Sequence, residues 1–159
     1  MVRMVGQKKG NRAKRIGIVV SLFNDYITKR LLTGCLNELS RSGVKKKDVT
    51  VISVPGSFEI PVTACQLTRK KNIDAVICLG AVIRGETLHF DLVAQGAAQG
   101  IMQASLLTGK PVIFGVLATN TMDEAYKRAD EKGGNKGADA AQAALAMIGV
   151  LRQVAAGNK

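Results

Sequence analysis

The single histidine of this chain, His89, closes the segment Gly80-Ala-Val-Ile-Arg-Gly-Glu-Thr-Leu-His89, which also carries a cation, an acid and a hydroxyl. An imidazole titrates near neutrality, so His89 can give or take a proton there. Gly85 lets backbone approach a ligand closely. Thr87 is placed to cap a helix starting near Leu88, and the free N–H groups of such a helix start suit an anion. Proton transfer beside a bound anion is the chemistry this segment could perform. A glycine-broken strand–loop–helix is also an ordinary turn, so its neighbours must decide.

The elements that would position His89 follow from hydrophobic pattern. Ala75 to Leu79 is an apolar run and reads as a buried strand that breaks at Gly80. After Leu88, no charged residue occurs from Leu92 to Thr108. Asp91, Gln95, Gln99 and Gln103 recur at four-residue spacing and make one narrow polar stripe on an otherwise apolar helix. One sheet face needs only part of that circumference. This helix is therefore expected to pack a second partner, either a neighbouring helix or another subunit.

Upstream, Ile16 to Val20 is a short β-branched strand, and Asn24 or Asp25 can cap the helix after it. Ile27, Leu31, Leu32, Cys35, Leu36 and Leu39 share one face of that helix, which Gly43 stops. Lys45 to Asp48 is a polar turn. Val49 to Val54 is the second strand. Ser57 is a plausible cap for a helix running to about Lys70, with Pro61 in its first turn. Downstream, Pro111 to Leu117 is the fourth strand, and Thr121-Met-Asp-Glu124 is a capping box opening a helix. Arg128 shares a small-residue face with Ala125 and Ala129, as an ion-pair partner or a ligand clamp. Lys132 to Gly137 reads as a flexible break before a last, over-apolar helix, Ala138 to Val154. The alternation of strand and helix predicts an α/β fold with a parallel sheet covered on both faces, with right-handed crossovers.

The composition narrows the function. The chain has 159 residues, suited to one domain, and is 47% hydrophobic with only 4% aromatics and no Trp. No apolar run reaches the length of a membrane span without Gln or Gly inside it. The basic start lacks a signal-peptide pattern, so a cytoplasmic location is expected. Residues 1–14 are expected to be a basic, flexible or extended arm, and residues 15–157 the domain. Arg3, Lys8, Lys9, Arg12, Lys14 and Arg15 supply six positive charges of the net +11 before any acid occurs. Such a run is more often a solvated tail than a nucleic-acid arm. No aromatic interleaves it, so base stacking has no platform. Cys35, Cys65 and Cys78 lie in apolar segments without CxxC spacing and read as buried reduced thiols. With one His, a metal site has little to draw on.

At the carboxyl ends of the strands collect Phe23, Asn24, Ser57, Phe58, Glu59, Ala81, Val82, Ile83, Glu86, Thr87, His89 and Phe114. This is an apolar wall with a few directional polar groups, the usual form of a small-molecule site. Neither GxxxxGK[ST] nor GxGxxG occurs, so phosphate-loop and Rossmann nucleotide binding are not supported. Cys78, inside a strand, is a poor nucleophile. What remains suits proton transfer on a phosphorylated substrate, with positioning carrying much of the rate.

The segments Phe23-Asn24, Val54-Pro-Gly-Ser-Phe-Glu-Ile-Pro61, Gly80 to Phe90 and Pro111-Val-Ile-Phe-Gly-Val-Leu117 resemble lumazine synthase. So do Ala125 to Ala129 and Gly134-Asn-Lys-Gly137, and the match runs in order from about Ile16 to the final helix. The resemblance implies a single-domain, three-layer α/β/α, flavodoxin-like fold with a four-stranded parallel sheet. It implies condensation of 5-amino-6-(D-ribitylamino)uracil with 3,4-dihydroxy-2-butanone 4-phosphate to 6,7-dimethyl-8-ribityllumazine, in riboflavin biosynthesis, without metal or organic cofactor. Phe23 would stack on the pyrimidine, and Ser57, Phe58 and Glu59 would meet the ribityl chain and ring. Asn24 is counted with these substrate-binding residues. Ala81, Val82 and Ile83 would hold the pyrimidine edge through backbone. Gly85, Glu86 and Thr87 would line the phosphate site, and His89 would transfer protons. Phe114, Arg128 and Lys136 would come from the adjacent subunit, with Arg128 on the phosphate. Family members form homopentamers, and some build pentamers into an icosahedral capsid, a 60-mer, which the Gly134 to Gly137 break resembles. Association with riboflavin synthase is a further expectation. Leu22 stands where an Arg is expected, and Ala118 where a Thr is usual. Two other readings remain beside the enzyme: a flavin- or lumazine-binding protein without turnover, and a shell whose basic arms hold nucleic acid.

Overall fold

Four β-branched runs form one parallel sheet in the computed structural model, which describes residues 14–157. The basic arm expected over residues 1–14 therefore lies, apart from Lys14, outside the described residues. The strands are β1 (Ile16–Ser21), β2 (Val49–Val54), β3 (Ala75–Ile83) and β4 (Val112–Thr119), in the order β2-β1-β3-β4. All six residues of β1 are buried, as are the first eight of β3. A central strand covered on both faces has to be apolar continuously rather than alternately. Edge strand β2 is exposed at Thr50, Val51 and Ser53, partly buried at Val49 and Ile52, and buried at Val54.

The chain leaves β1 toward β2 on one side and returns to β3 on the other, so strand order reverses between β1 and β3. Open α/β sheets bind ligands at the carboxyl ends beside such a reversal.

Successive strand residues feed opposite layers. Ile18 and Val20 of β1, with Ile77 and Leu79 of β3, pack under α1 (Asp25–Arg41), α4 (Met122–Ala129) and α5 (Lys136–Ala156). Val19, Val76 and Cys78 face α2 (Ile60–Thr68) and α3 (His89–Thr108) on the other side. Ile27, Leu31, Cys35 and Leu39 are the buried stripe of α1, while Leu36 stays exposed. Each fully buried Leu or Ile contributes roughly 1.5–3 kcal/mol. Helices α1 and α5 touch closely because Gly137 offers no side chain; a Cβ there would lie 1.9 Å from the Leu31 carbonyl oxygen.

Several boundaries differ from the sequence expectation. Strand β3 does not break at Gly80 but runs on to Ile83, since Gly80 to Ile83 pair with Val116 to Thr119 of β4. Gly80 is a packing contact: a Cβ there would sit 2.6 Å from the Ser57 Oγ. Helix α2 stops at Thr68, and it is preceded by a 3₁₀ turn at Ser57–Glu59 rather than capped by the Ser57 side chain. Asn24 precedes α1 in the left-handed conformation, and its side chain makes no cap. On α4, the Thr121 hydroxyl accepts the Glu124 N–H as expected, at 3.2 Å. The Glu124 carboxylate instead reaches one residue further back, accepting the Asn120 N–H at 2.9 Å. Cys35 and Cys78 are buried and Cys65 only partly so; all three are free thiols.

Candidate active site

The turn after β1 is built by backbone. The Leu22 N–H donates to the Val54 carbonyl at 2.8 Å and the Phe23 N–H to the Pro55 carbonyl at 3.0 Å. At φ 58°, Asn24 then reverses the chain. Its side-chain amide donates to the Ala81 carbonyl at 2.9 Å, tying the end of β1 to the end of β3. Its Oδ1 accepts from the Tyr26 hydroxyl at 2.9 Å. The result presents Phe23 outward, 72% exposed.

A second bare ring stands nearby in the fold. Phe58 is 60% exposed and rests one edge on α3 at Gly96, where a Cβ would lie 2.6 Å from the ring. Ser57 is buried against Gly80. Glu59 is exposed at the start of α2. Two exposed aromatic faces at a sheet's carboxyl edge can hold a flat ring between polar backbone edges.

Beyond Ile83 the chain enters the loop that leads to His89. The Arg84 N–H still donates to β4, at the Thr119 carbonyl, 2.9 Å. Gly85 has no other heavy atom within 4 Å of where a Cβ would stand, and Glu86, Thr87 and Leu88 are exposed. Leu88, not Thr87, occupies the N-cap position of α3. The Thr87 hydroxyl nonetheless accepts the His89 N–H, at 3.4 Å. His89, the first residue of α3, is exposed.

Arg84 is the cation of this loop, and its own chain engages it. Nη1 and Nη2 donate to the two Asp91 oxygens at 3.3 and 3.2 Å. Nε donates to Asn120 Oδ1 at 3.0 Å, and the guanidinium lies 4.3 Å over the Phe90 ring.

Phe114 and Lys136 meet elsewhere, in a cleft of about 290 Å³ between edge strand β4 and α5. The Lys136 ammonium pairs with Asp139 at 2.8 Å. Arg128 is exposed on α4, away from that cleft's lining; its Nη1 donates to the Glu124 carbonyl at 3.0 Å, and it joins no ion pair among the described residues. Thus β3 unites Phe23, Asn24, Ser57, Phe58, Ala81, Val82 and Ile83 with the Gly85 to His89 loop. Within one chain, Phe114, Lys136 and Arg128 form no part of that surface.

Three features escaped the sequence reading. The Arg84 grip is a tertiary arrangement with only a loop position to announce it. Asn135 is buried and fully engaged, though its segment looks like a flexible linker. Ser21, buried beside Ser57 at Gly80, has a hydroxyl with no hydrogen-bond partner among the described residues.

Thiol chemistry is disfavoured, because burial pushes the Cys35 thiol up to about 12 and raises Cys78 still further above its ordinary range. Among the described residues no three His, Cys, Asp or Glu side chains group as metal ligands. No helix there is long and apolar enough to cross a membrane. The two positions that depart from the expected motif, Leu22 and Ala118, are both exposed.

The family model described as 6,7-dimethyl-8-ribityllumazine synthase matches residues 13–152. A protein named 6,7-dimethyl-8-ribityllumazine synthase, from Syntrophus aciditrophicus (strain SB), is 51% identical over 143 residues, covering 90% of this chain and 93% of that protein.

Proposed function

The chain belongs to the 6,7-dimethyl-8-ribityllumazine synthase family, and from that premise we propose that its strand-end surface condenses 5-amino-6-(D-ribitylamino)uracil with 3,4-dihydroxy-2-butanone 4-phosphate. The products are 6,7-dimethyl-8-ribityllumazine, phosphate and water, a step of riboflavin biosynthesis. Phe23 stacks on the pyrimidine, whose edge meets the backbone of Ala81, Val82 and Ile83. Asn24 braces this wall through the Ala81 carbonyl. Ser57, Phe58 and Glu59 take the ribityl chain and ring. The phosphate lies against Gly85, Glu86 and Thr87 at the start of α3, where free N–H groups and the helix dipole favour an anion. His89 moves protons during imine formation and ring closure.

One observation carries the reading that this site is shared between copies. The phosphate loop's own cation, Arg84, is already engaged by Asp91 and Asn120. Arg128 has no carboxylate partner in its own chain among the described residues. A dianionic phosphoryl group needs a charge-assisted partner. Arg128 of an adjacent copy supplies it, with that copy's Phe114 and Lys136 closing the site. The assembly is a homopentamer or a capsid built from pentamers.

Mixing both substrates and following lumazine fluorescence tests the reaction. The expected result is product formation that His89→Ala slows by about 10²–10⁴-fold, the share of a positioned acid or base. Binding of lumazine without turnover would favour a non-catalytic flavin- or lumazine-binding protein instead. Near wild-type rates in His89→Ala would remove the imidazole from the mechanism.

A further inference from the structure

We infer that Arg84 is a positioning residue: by gripping Asp91, Asn120 and Phe90 it sets the Gly85 to Leu88 loop and the first turn of α3 for the phosphorylated substrate. The inference rests on the functional reading above and adds a residue to it.

The loop cannot hold its own shape by packing. Gly85 touches nothing where a side chain would begin, and Leu88 is 75% exposed. The Leu88 carbonyl accepts the Asp91 and Leu92 N–H groups of α3 at 3.1 and 3.2 Å, and ahead of it the one side-chain tie among the described residues is the long Thr87 hydroxyl contact to the His89 N–H. The shape must therefore be set at the loop's two mouths. Arg84 spans them. Its backbone continues the β3–β4 ladder through Thr119, while its side chain crosses to α3. The fork on Asp91 fixes the guanidinium plane, and Phe90 supports one face of it. Phe90 and Asp91 directly follow His89, so the grip orients the turn that carries the imidazole. Asn120 adds the end of β4 as a fixed reference point.

The same contacts contribute little to global stability. Both members of the Arg84–Asp91 pair are more than a third exposed, and pairs of that kind add little to folding. Loss of the grip should thus misplace the loop without unfolding the chain. Small displacements of reacting groups are costly in rate.

Steady-state kinetics on the assembled protein test this, with KM read separately for the two substrates. Arg84→Met is expected to raise the KM for the butanone phosphate about tenfold or more and to lower kcat, while the KM for the pyrimidine stays within about twofold. Asp91→Asn discriminates the roles, because it leaves the Arg84 charge in place. A positioning role predicts a KM rise in the same direction, and a double variant no worse than Arg84→Met alone. An unchanged or lowered KM in Asp91→Asn would make Arg84 a direct phosphate ligand and overturn the inference. So would equal losses for both substrates with a fall in assembly mass, which is the mark of a structural role. If Arg84→Met does not fold, Asp91→Asn decides alone. Deuterium uptake by a peptide spanning 84–92, expected to rise in both variants, is independent of turnover. Wild-type protein that makes no lumazine would overturn the functional reading; unchanged uptake and KM in active variants would overturn only the grip.

Discussion

Four hydrogen bonds converge on the buried side chain of Asn135. Its Oδ1 accepts the N–H groups of Gly137 at 2.8 Å and Ala138 at 3.2 Å, capping α5. Its amide donates to the Arg30 carbonyl at 3.0 Å and the Ala129 carbonyl at 2.7 Å. One residue thus joins α1, the end of α4 and the start of α5. Asn135→Ala strands buried donors and acceptors together, which costs more than the bonds themselves are worth. The expected loss is roughly 2–4 kcal/mol of unfolding free energy, read as a lower urea midpoint at unchanged slope. Asn135→Asp keeps the cap but turns a buried carboxylate oxygen toward the Arg30 and Ala129 carbonyls, so it is expected to lower the midpoint at least as far as Asn135→Ala. A midpoint within error of wild type for Asn135→Ala would mean the joint is held by packing alone. Sequence pattern had no access to this. In Gly134-Asn-Lys-Gly137, Asn is as common in solvated turns as in caps, and only its carbonyl partners, Ala129 six residues earlier and Arg30 105 residues earlier, separate the two.

At the scale of elements, the buried thiols report which segments open. Cys35 lies on α1, Cys78 in β3 and Cys65 on α2, the last only partly buried. At mildly alkaline pH a thiol reagent should label Cys65 first and reach the other two only as the fold opens. Simultaneous labelling of all three would contradict the two-layer core. The linkage has a definite sign. Burial raises the Cys35 thiol from its ordinary 9.0 to about 12, so the folded state binds that proton more tightly than the unfolded one. Its contribution is intact below pH 9 and is lost as pH rises toward 12, by up to about 1.4 kcal/mol per pH unit. Urea unfolding at several alkaline pH values should show a shallower fall for Cys35→Ala than for wild type. Equal slopes would place the thiol in contact with solvent. The elements themselves were mostly legible, because β-branched runs and a 3.6-residue apolar period are local signals. The local pattern ends β3 four residues early because a glycine marks either a turn or a close contact, and only Ser57 packed over Gly80 shows which. The positions of Phe23, Ser57 and Phe58 past strand ends follow from that same alternation, whereas Ala81, expected beyond the strand, lies within β3. The Arg84 grip did not, since it depends on how α3 leans against the ends of two strands.

The whole molecule presents a surface that one chain does not cover. Along α3, Leu88, Leu92, Met102 and Leu106 lie on one helical stripe, and Leu88 and Leu106 are each 75% exposed. The amides Gln95 and Gln99 interrupt it midway, leaving an apolar patch toward each end. Exposed apolar faces of this kind mark sites of association, as the uncharged helix pattern implied. If copies associate head to tail, the His89 side of one chain meets the Arg128 side of the next, and neither chain alone has a complete site. Mixed assemblies test this directly. His89→Ala and Arg128→Ala are each expected to be nearly inactive when assembled separately. Co-assembled in equal amounts, a site is whole where an intact His89 happens to face an intact Arg128. Random mixing makes that about a quarter of the sites, so activity should recover to about a quarter of wild type. Simple mixing of preformed assemblies, without exchange of chains, should recover none. Absence of recovery after verified co-assembly would put both residues in one chain's site, or remove one of them from the chemistry. Leu106→Lys gives the complementary result: by charging the α3 stripe it should shift the light-scattering mass toward smaller species and lower activity in proportion, although it lies more than three helical turns from His89 along α3.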